Sequence, residues 1–232
     1  MTSCSSWCTA RVPQPTDPVL LHADDGLLVI DKPAGLLSVP GRGPDKQDCL
    51  STRIQSRFSD ALVVHRLDMA TSGLMVMARG PTAQQRLNHA FAQRRVYKRY
   101  QAIVQGEPST GLAEGAWASI DLPILLDWPQ RPRRTISVDA GKPSTTRWRV
   151  LGQEGAGRTR VELEPVTGRS HQLRVHMLAI GHPILGDALY CRGDSQAAAP
   201  RLLLHATRLA LDHPLTGTTM AFDSPPSFHQ AP

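Results

Sequence analysis

Short apolar segments of strand type recur along this chain of 232 residues, whereas helical patterns are few. The strand-type segments are residues 27–30, 61–64, 74–78, 97–104, 145–150, 160–163, 202–205, 208–211 and 218–222. Helices are indicated only at 50–58, 81–91 and 170–180. A parallel sheet needs a crossover helix between successive strands, so this irregular order predicts an α+β domain. We expect a mixed, mainly antiparallel sheet with flanking helices and loops.

The start of the chain and its middle differ from the rest in composition. Residues 1–18 are polar and contain three prolines, so we expect a flexible N-terminal tail. Residues 19–232 are expected to form one domain, because hydrophobic residues make up 41% of the chain and can fill a core. The middle, residues 106–143, is rich in Pro, Gly and Arg, which predicts short strands and long loops.

The composition narrows the classes of function. Lys and Arg number 26 against 20 Asp and Glu, and the formal net charge of +6 favours a polyanionic partner such as RNA. There is no signal-peptide pattern and no apolar run of about 20 residues, so we expect a cytoplasmic protein without a membrane partner. The four cysteines form no Cys-x-x-Cys pair, which argues against a disulfide framework and a zinc cluster.

A charged loop follows the predicted strand at 61–64 and leads directly into the next strand. It contains His65, Arg66 and Asp68. Catalytic groups commonly lie on loops that a rigid sheet presents, so Asp68 is a candidate catalytic carboxylate. The alternative is that Asp68 caps a turn and that Arg66 is an ordinary solvated side chain.

Tyr100 lies on the apolar side of the alternating segment 97–104. It is either a core tyrosine or a ring on which a nucleobase stacks. Lys98 and Arg99 precede it and could contact phosphates, as could Arg131, Arg133 and Arg134; the alternative for all five is a solvated basic surface.

The segment 167–176 places two arginines at a predicted helix start, where Ser170 would be the N-cap. Free backbone N–H groups there attract a phosphate or a carboxylate. His171 and His176 could suggest a metal site, but a spacing of five residues turns them away from a common helix face. We therefore expect no bound metal.

These segments, together and in this order, resemble the RluA-type pseudouridine synthases over nearly the whole chain, from about Leu27 to Phe228. The motifs that carry the resemblance are 65–68 with 71–73, Lys98 with Tyr100 and Gly106, and 168–174 with 181–187. Further similarities, at 35–41, 121–123, 127–129 and 177–183, are to the branch that modifies one 23S rRNA hairpin loop and the anticodon stem-loop of certain tRNAs.

The resemblance implies the pseudouridine synthase fold for 19–232 and a specific set of roles. The implied catalytic residues are Asp68, Tyr100 and Arg174, with the Arg174 guanidinium against the Asp68 carboxylate. The implied RNA-binding residues are His65, Arg66, Lys98, Arg169 and His171. Moving a base from N1 to C5 needs no electron acceptor, so we expect no cofactor, and we expect a monomer whose partner is RNA.

Three alternatives compete with this prediction. A relative in the same family could act on a different rRNA or tRNA uridine. A ribosome-assembly factor could bind RNA without catalysis, but it would not need a carboxylate at position 68. A nucleobase deaminase would need His-x-Glu and Pro-Cys-x-x-Cys zinc motifs, and the sequence contains neither.

Overall fold

The structure is a computed structural model, and it describes residues 17–109, 115–155, 157–191 and 199–229. These residues form three α-helices: α1 (Leu50–Gln55), α2 (Gly80–Ala92) and α3 (Gln172–Ala179). They also form twelve strands: β1 (Val19–Ala23), β2 (Leu27–Lys32), β3 (Ala61–Val63), β4 (Ser72–Arg79), β5 (Tyr97–Gln105), β6 (Ala118–Asp121), β7 (Ile124–Leu126), β8 (Arg134–Ile136), β9 (Thr145–Gln153), β10 (Arg158–Pro165), β11 (Leu204–Asp212) and β12 (Thr219–Asp223).

Ten of these strands form one sheet. Its main order is β1-β2-β4-β11-β5-β10-β9-β6, with β3 added on β4 and β12 added on β11, while β7 and β8 form a separate hairpin. Within the described residues every strand pair is antiparallel except β4 with β11. The predicted α+β class with a mixed, mainly antiparallel sheet is therefore confirmed.

The parallel pair β4–β11 joins two halves of the sheet. The contact is short, with Ser72 opposite His205 and Gly73 opposite Ala206. Gly73 has a φ of 106°, and a Cβ at this position would lie 2.4 Å from the Ala206 carbonyl oxygen, so only glycine allows this approach. A hydrogen bond of 2.8 Å between Ser72 Oγ and His205 Nδ1 adds a buried polar contact across the same junction.

Each half of the sheet has its own hydrophobic core. The half with β2, β3 and β4 is covered by α1 and α2, and the apolar runs of β2 and β4 are buried almost throughout, as central strands should be. The half with β9 and β10 is covered by α3. Tyr100 packs against both clusters, so it stands where the two cores meet.

Several predicted elements agree with the structure. Pro81 stands in the first turn of α2, whose buried residues include Ala83 and Leu87. The segments predicted at 145–150 and 160–163 pair as β9 and β10. The predicted short strands of the middle region are β6, β7 and β8, although residues 110–114 of that region lie outside the described residues.

Three predictions of detail were wrong. The strands expected at 202–205 and 208–211 are the single strand β11, with a bulge between Ala206 and Arg208 that interrupts the alternation. The helix expected to reach Phe58 ends at Gln55. Ser170 is not the N-cap of α3; that position is taken by His171 in a left-handed conformation with φ 58°.

The N-terminal boundary stays a prediction, because residues 1–16 lie outside the described residues and the first strand begins at Val19. Asp17 forms an exposed ion pair with Arg53 at 3.0 Å. Of the helices in the described ranges, none is long and apolar enough to cross a membrane.

Candidate active site

Asp68 lies in the loop between β3 and β4, beside the junction of the two half-sheets. Ser38 holds this loop in place. Its hydroxyl donates to the Leu67 carbonyl at 2.7 Å and accepts from the Leu67 N–H at 3.1 Å. Thr71 N donates to the Asp68 carbonyl at 3.1 Å and closes the turn after it. These hydrogen bonds hold the backbone at Asp68 in place. The Asp68 side chain is 27% exposed, so a ligand can reach its carboxylate.

Lys32 supports the same loop from the interior. Its side chain is completely buried, and its ammonium donates to the carbonyls of Pro33, Leu36 and Met69 at 2.9, 2.8 and 3.2 Å. Burial lowers the pKa of Lys32 to about 7, although the charges of Asp68 and Asp31 act in the opposite direction. The contact with Met69 ties the residue after Asp68 to the turn that follows β2.

Arg174 connects Asp68 to a second carboxylate. Its Nη1 donates to Asp68 Oδ2 at 3.1 Å, while Nε and Nη2 donate to the two oxygens of Asp187 at 2.7 Å each. Arg174 and Asp187 are 5% and 1% exposed. Burial disfavours the charge on Arg174, but the bonds to both carboxylates outweigh burial and raise its pKa. The guanidinium therefore carries a permanent positive charge, and the pair of hydrogen bonds to Asp187 fixes its position.

Asp187 is itself fixed by the backbone. Leu189 N and Tyr190 N donate to its Oδ1 at 3.0 and 3.2 Å. The Tyr190 ring lies 5.1 Å from the Arg174 guanidinium carbon, which adds a cation–π contact. The orientation of Arg174 is thus set by residues that do not face the Asp68 carboxylate directly.

His171 stands on the other side of Asp68, with Nε2 3.8 Å from Oδ2. Its Nδ1 shares a hydrogen bond of 2.8 Å with the Tyr190 hydroxyl, which also accepts from Arg134 N at 2.8 Å. Burial and the charges of Arg174 and Arg134 lower the pKa of His171, against the opposing effect of Asp68. A neutral imidazole at neutral pH follows from this balance.

Tyr100 and Lys98 project from β5 on the side of the sheet that faces Asp68, and both are half-buried. Burial and the charge of Asp68 raise the pKa of the Tyr100 phenol. Burial lowers the pKa of Lys98. The phenol is therefore neutral at neutral pH, and it can donate a proton or a hydrogen bond.

The His65 ring is only partly exposed and is packed against its neighbours, unlike a surface side chain that is free to contact RNA. Its Nε2 accepts the backbone N–H of Val76 at 2.9 Å, and its ring stacks on Phe91 with centroids 4.5 Å apart. Burial and the charge of Lys98 lower the pKa of His65 to about 3. The imidazole holds the start of the Asp68 loop against β4, even though part of it lines the cleft.

Arg66 and Arg169 are exposed at the mouth of the same cleft. The Arg66 side chain makes no hydrogen bond or ion pair with the residues that the structure describes. Gln172 shapes the loop beside Arg169, because its buried amide accepts from Thr167 Oγ1 at 2.7 Å and from Arg169 N at 3.0 Å. Two exposed, positively charged side chains therefore stand at the entrance.

The eight catalytic and RNA-binding residues that the resemblance implies all line one cleft of about 470 Å³, whereas the candidate phosphate contacts Arg99, Arg131, Arg133 and Arg134 lie outside it. That volume is within the range of small-molecule sites. The residues come from the β3–β4 loop, from β5 and from the start of α3. The structure therefore brings together the three predicted segments, which lie more than 100 residues apart at the extremes.

The histidines outside the cleft occupy separate structural positions. His176 is fully buried and bonds Thr146 Oγ1 and the Leu122 carbonyl, and His182 bonds the Gln105 carbonyl. Across the part of the chain that the structure describes, no three His, Cys, Asp or Glu side chains are grouped to hold a metal ion.

The sequence assigned no role to three residues that shape the site, namely Lys32, Asp187 and Tyr190, although Asp187 stands in the motif at 181–187. Lys32 and Asp187 are charged residues in otherwise apolar or turn-forming segments, and such placement is the signal that could have marked them. Tyr190 follows Asp187 by three residues in a region without a clear periodic pattern.

A carboxylate paired to a buried arginine, a tyrosine beside it and basic residues at the entrance of the cleft fit an enzyme that acts on RNA. Comparison with known proteins agrees: residues 26–179 match the family described as RNA pseudouridylate synthase. The chain belongs to the RNA pseudouridylate synthase family, whose members form pseudouridine in RNA.

Individual relatives cover nearly the whole chain. It is 48% identical over 216 residues to the dual-specificity RNA pseudouridine synthase RluA of Escherichia coli (strain K12), covering 92% of this chain and 96% of the relative. The RluA of Yersinia pestis is 48% identical over 204 residues, covering 88% and 97%. The resemblance to RluA-type enzymes is confirmed.

Solved structures give the same fold. Human RNA Pseudouridylate Synthase Domain Containing 1 superposes with a TM-score of 0.72 at 29% identity, covering 90% of this chain and 83% of that one. Human RNA Pseudouridylate Synthase Domain Containing 4 gives 0.69 at 27% identity, covering 90% and 89%. The predicted pseudouridine synthase fold is confirmed.

Proposed function

We propose that this chain isomerises one uridine in a 23S rRNA hairpin loop and one in a tRNA anticodon stem-loop, with Asp68 as the catalytic carboxylate. The observation that carries the proposal is the Arg174–Asp68 bond of 3.1 Å inside a cleft whose rim is basic. The relatives are dual-specificity RNA pseudouridine synthases, which supports two RNA targets.

The reaction moves the base within one nucleotide. The N1–C1′ bond breaks, the uracil turns, and a new bond joins C5 to C1′; C5 then loses its proton and N1 gains one, so atoms and electrons balance. A carboxylate can assist by adding to the reacting sugar or by accepting a sugar proton. Either role needs the Asp68 carboxylate, and the fixed Arg174 guanidinium is positioned to pair with it at 3.1 Å.

The base must leave its stack before it can enter the cleft. Extrusion costs a few kcal/mol and is less costly in a loop than in a duplex. The exposed Arg66 would occupy the space that the base leaves, and Tyr100 would pack on the extruded ring. The neutral Tyr100 hydroxyl can donate the proton that N1 gains, and the resulting phenolate can then accept the proton that leaves C5.

Basic side chains at the rim would bind the RNA backbone. Lys98 and Arg169 line the cleft around Asp68, so phosphates next to the extruded nucleotide are their expected partners. His171 also lines the cleft, and as a neutral imidazole it would contact the RNA by a hydrogen bond rather than by charge. His65 would act from behind, by holding the loop that carries Arg66 and Asp68.

We also propose that the protein acts as a monomer in the cytoplasm, without a metal or a cofactor. The support for a monomer is that one chain supplies every residue of the cleft. The absence of a redox step from the reaction supports a cofactor-free mechanism. Sedimentation of the purified protein at micromolar concentration tests the oligomeric state.

The decisive experiment compares the wild type with Asp68→Asn on two RNAs, a tRNA anticodon stem-loop and a 23S rRNA hairpin. The wild type should form pseudouridine in both, and the variant should bind both RNAs with similar Kd while forming none. Mapping pseudouridine in cells with and without the protein identifies the positions. An unchanged map in 23S rRNA and tRNA would refute the proposed targets, and full activity of the variant would refute the role of Asp68.

A further inference from the structure

The loop that joins β7 to β8 carries an exposed tryptophan outside the cleft. Trp128 is 64% exposed, the highest exposure of any aromatic side chain among the described residues. Aromatic residues make up only 5% of the chain. Single exposed apolar residues are common on proteins, so exposure alone does not define a site, and the surroundings of the ring decide its meaning.

The surroundings of Trp128 are strongly basic. The Arg131 guanidinium carbon lies 4.0 Å from the Trp128 ring centroid, in a cation–π stack. The stretch 127–134 contains three arginines and one aspartate, and Arg133 stacks over the Tyr190 ring at 5.6 Å. An aromatic face combined with arginines is the arrangement with which proteins bind unpaired nucleotides.

The loop is held in one shape by its own hydrogen bonds. Asp127 Oδ1 accepts from Gln130 N at 3.2 Å, and Asp127 N donates to the Arg133 carbonyl at 3.1 Å. Gln130 also receives two bonds from Arg133, one at its carbonyl (3.0 Å) and one at Oε1 (2.8 Å). A surface that is ordered before binding loses less conformational entropy when a partner binds.

A short series of contacts connects this loop to the carboxylate. Arg134 N donates to the Tyr190 hydroxyl at 2.8 Å, that hydroxyl bonds His171 Nδ1 at 2.8 Å, and His171 Nε2 lies 3.8 Å from Asp68. The hairpin is thus anchored at the His171 side of the cleft. An RNA strand whose uridine is in the cleft would pass close to this loop.

We propose that Trp128 and Arg131 form a second RNA contact, in which an unpaired nucleotide outside the cleft stacks on the Trp128 ring. Arg131 and Arg133 bind the phosphates on either side of that nucleotide. This inference rests on the proposed function, because it takes the substrate RNA as the occupant. The contact adds binding energy away from the reacting base and selects RNAs whose loops present a second unstacked nucleotide.

The test compares the full-length wild type with Trp128→Ala and Trp128→Phe on an anticodon stem-loop RNA. Trp128→Ala should weaken Kd at least about fivefold, as the loss of one stacked base does elsewhere, while Trp128→Phe keeps most of the affinity. The single-turnover rate at saturating RNA should be unchanged in both. Arg131→Ala should lower the slope of log Kd against log salt by about one.

Val138 provides a matched control, because it is 79% exposed and lies just beyond β8. Val138→Ala should bind RNA like the wild type. Fluorescence gives an independent readout, since stacking should quench Trp128 and the Phe variant should lose that part of the quenching. Circular dichroism of each variant verifies that the loss of affinity is not a loss of fold.

Two outcomes overturn the inference. In one, Trp128→Ala has the wild-type Kd and the same salt dependence. The Trp128 ring would then not contact the RNA, and it would either bind a protein or have no partner. In the other, the variant loses rate at saturation with an unchanged Kd, so that the loop acts on Asp68 through Tyr190. A different result would refute the proposed function, namely that the wild type binds the RNA but forms no pseudouridine.

Discussion

Arg174 gives two of its nitrogens to Asp187 and only one to Asp68, and the two bonds to Asp187 are the shorter ones. The buried Asp187 therefore sets the position of the guanidinium, and the more exposed Asp68 receives a cation that is already oriented. Asp68 can therefore change its contacts without disturbing the orientation of Arg174.

Replacing Arg174 by Lys should keep the positive charge and lose the forked geometry, because an ammonium cannot hold both carboxylates in one plane. We expect kcat to fall about 100-fold, which corresponds to about 2.7 kcal/mol of transition-state stabilisation. Single-turnover assays with saturating RNA measure the change. Arg208→Lys, in the exposed pair with Asp223, is the control and should keep the wild-type rate.

Replacing Asp187 by Asn should remove the partner that orients Arg174 while leaving the cleft unobstructed. Breaking a buried ion pair typically costs about 3–5 kcal/mol of folding free energy, so chemical denaturation should show a clear loss of stability. The kcat should fall as well, with Kd for RNA unchanged. Asp212→Asn, on an exposed residue that bonds only Thr219, should change neither quantity. Wild-type kcat in a folded Asp187→Asn protein would contradict the positioning role.

Replacing Tyr100 by Phe separates stacking from proton transfer. The ring and its packing between the two cores remain, so RNA affinity and stability should stay close to the wild type. If the hydroxyl transfers the C5 proton, turnover should fall at least about 100-fold, since general acid–base catalysis contributes about 10²–10⁴-fold. Full turnover by the variant would leave Tyr100 with the stacking role alone.

Replacing Gly73 by Ala tests the junction of the two half-sheets. The new Cβ would lie within 2.4–2.6 Å of Ala206 backbone atoms, in a conformation with positive φ, so we expect several kcal/mol of destabilisation or failure to fold. Gly168→Ala is the matched control, because a Cβ there meets no atom within 4 Å. Thermal unfolding compares the two. Equal melting temperatures would show that the β4–β11 approach tolerates a methyl group.

The pH dependence of stability tests the environment of His65. Its pKa is about 3 in the folded protein against an ordinary value of 6.5, so the unfolded chain takes up a proton first as the pH falls. The folded state therefore loses stability between pH 6.5 and about 3, by at most about 1.4 kcal/mol per pH unit. His65→Gln should reduce that slope by about one proton, and His89→Gln, on an exposed position of α2, should not. Denaturation at pH 7 and pH 5 measures both.

The sequence was sufficient to single out the residues that line the cleft. Asp68, Tyr100 and Arg174 stand in short segments whose order resembles a known family, and the apolar alternation of β5 and the buried runs of β2 and β4 made their elements predictable. Asp68 taken alone could equally have capped a turn, and it was the ordered set of segments that marked it as a catalytic candidate.

The supporting contacts could not be predicted, because they depend on distances between segments far apart in the chain. Lys32 bonds the Met69 carbonyl 37 residues away, and although its place after an apolar run could have marked Lys32 as unusual, the sequence does not reveal this partner. The bulge in β11 and the left-handed conformation of His171 are features of the backbone, and the residue types at these positions do not determine them. The contacts inside the site depend on tertiary packing. The residues that line the cleft could be predicted from the types and the order of the sequence motifs.

The division of the sheet into two halves has a kinetic consequence. Asp68 and Arg174 are 106 residues apart, and each belongs to an element packed on a different core. Contacts of such high sequence separation form late in folding. When the denatured protein refolds, helix and strand signals should therefore return before enzymatic activity. A fragment containing either half alone would lack the paired charges, so activity reports on the completed molecule.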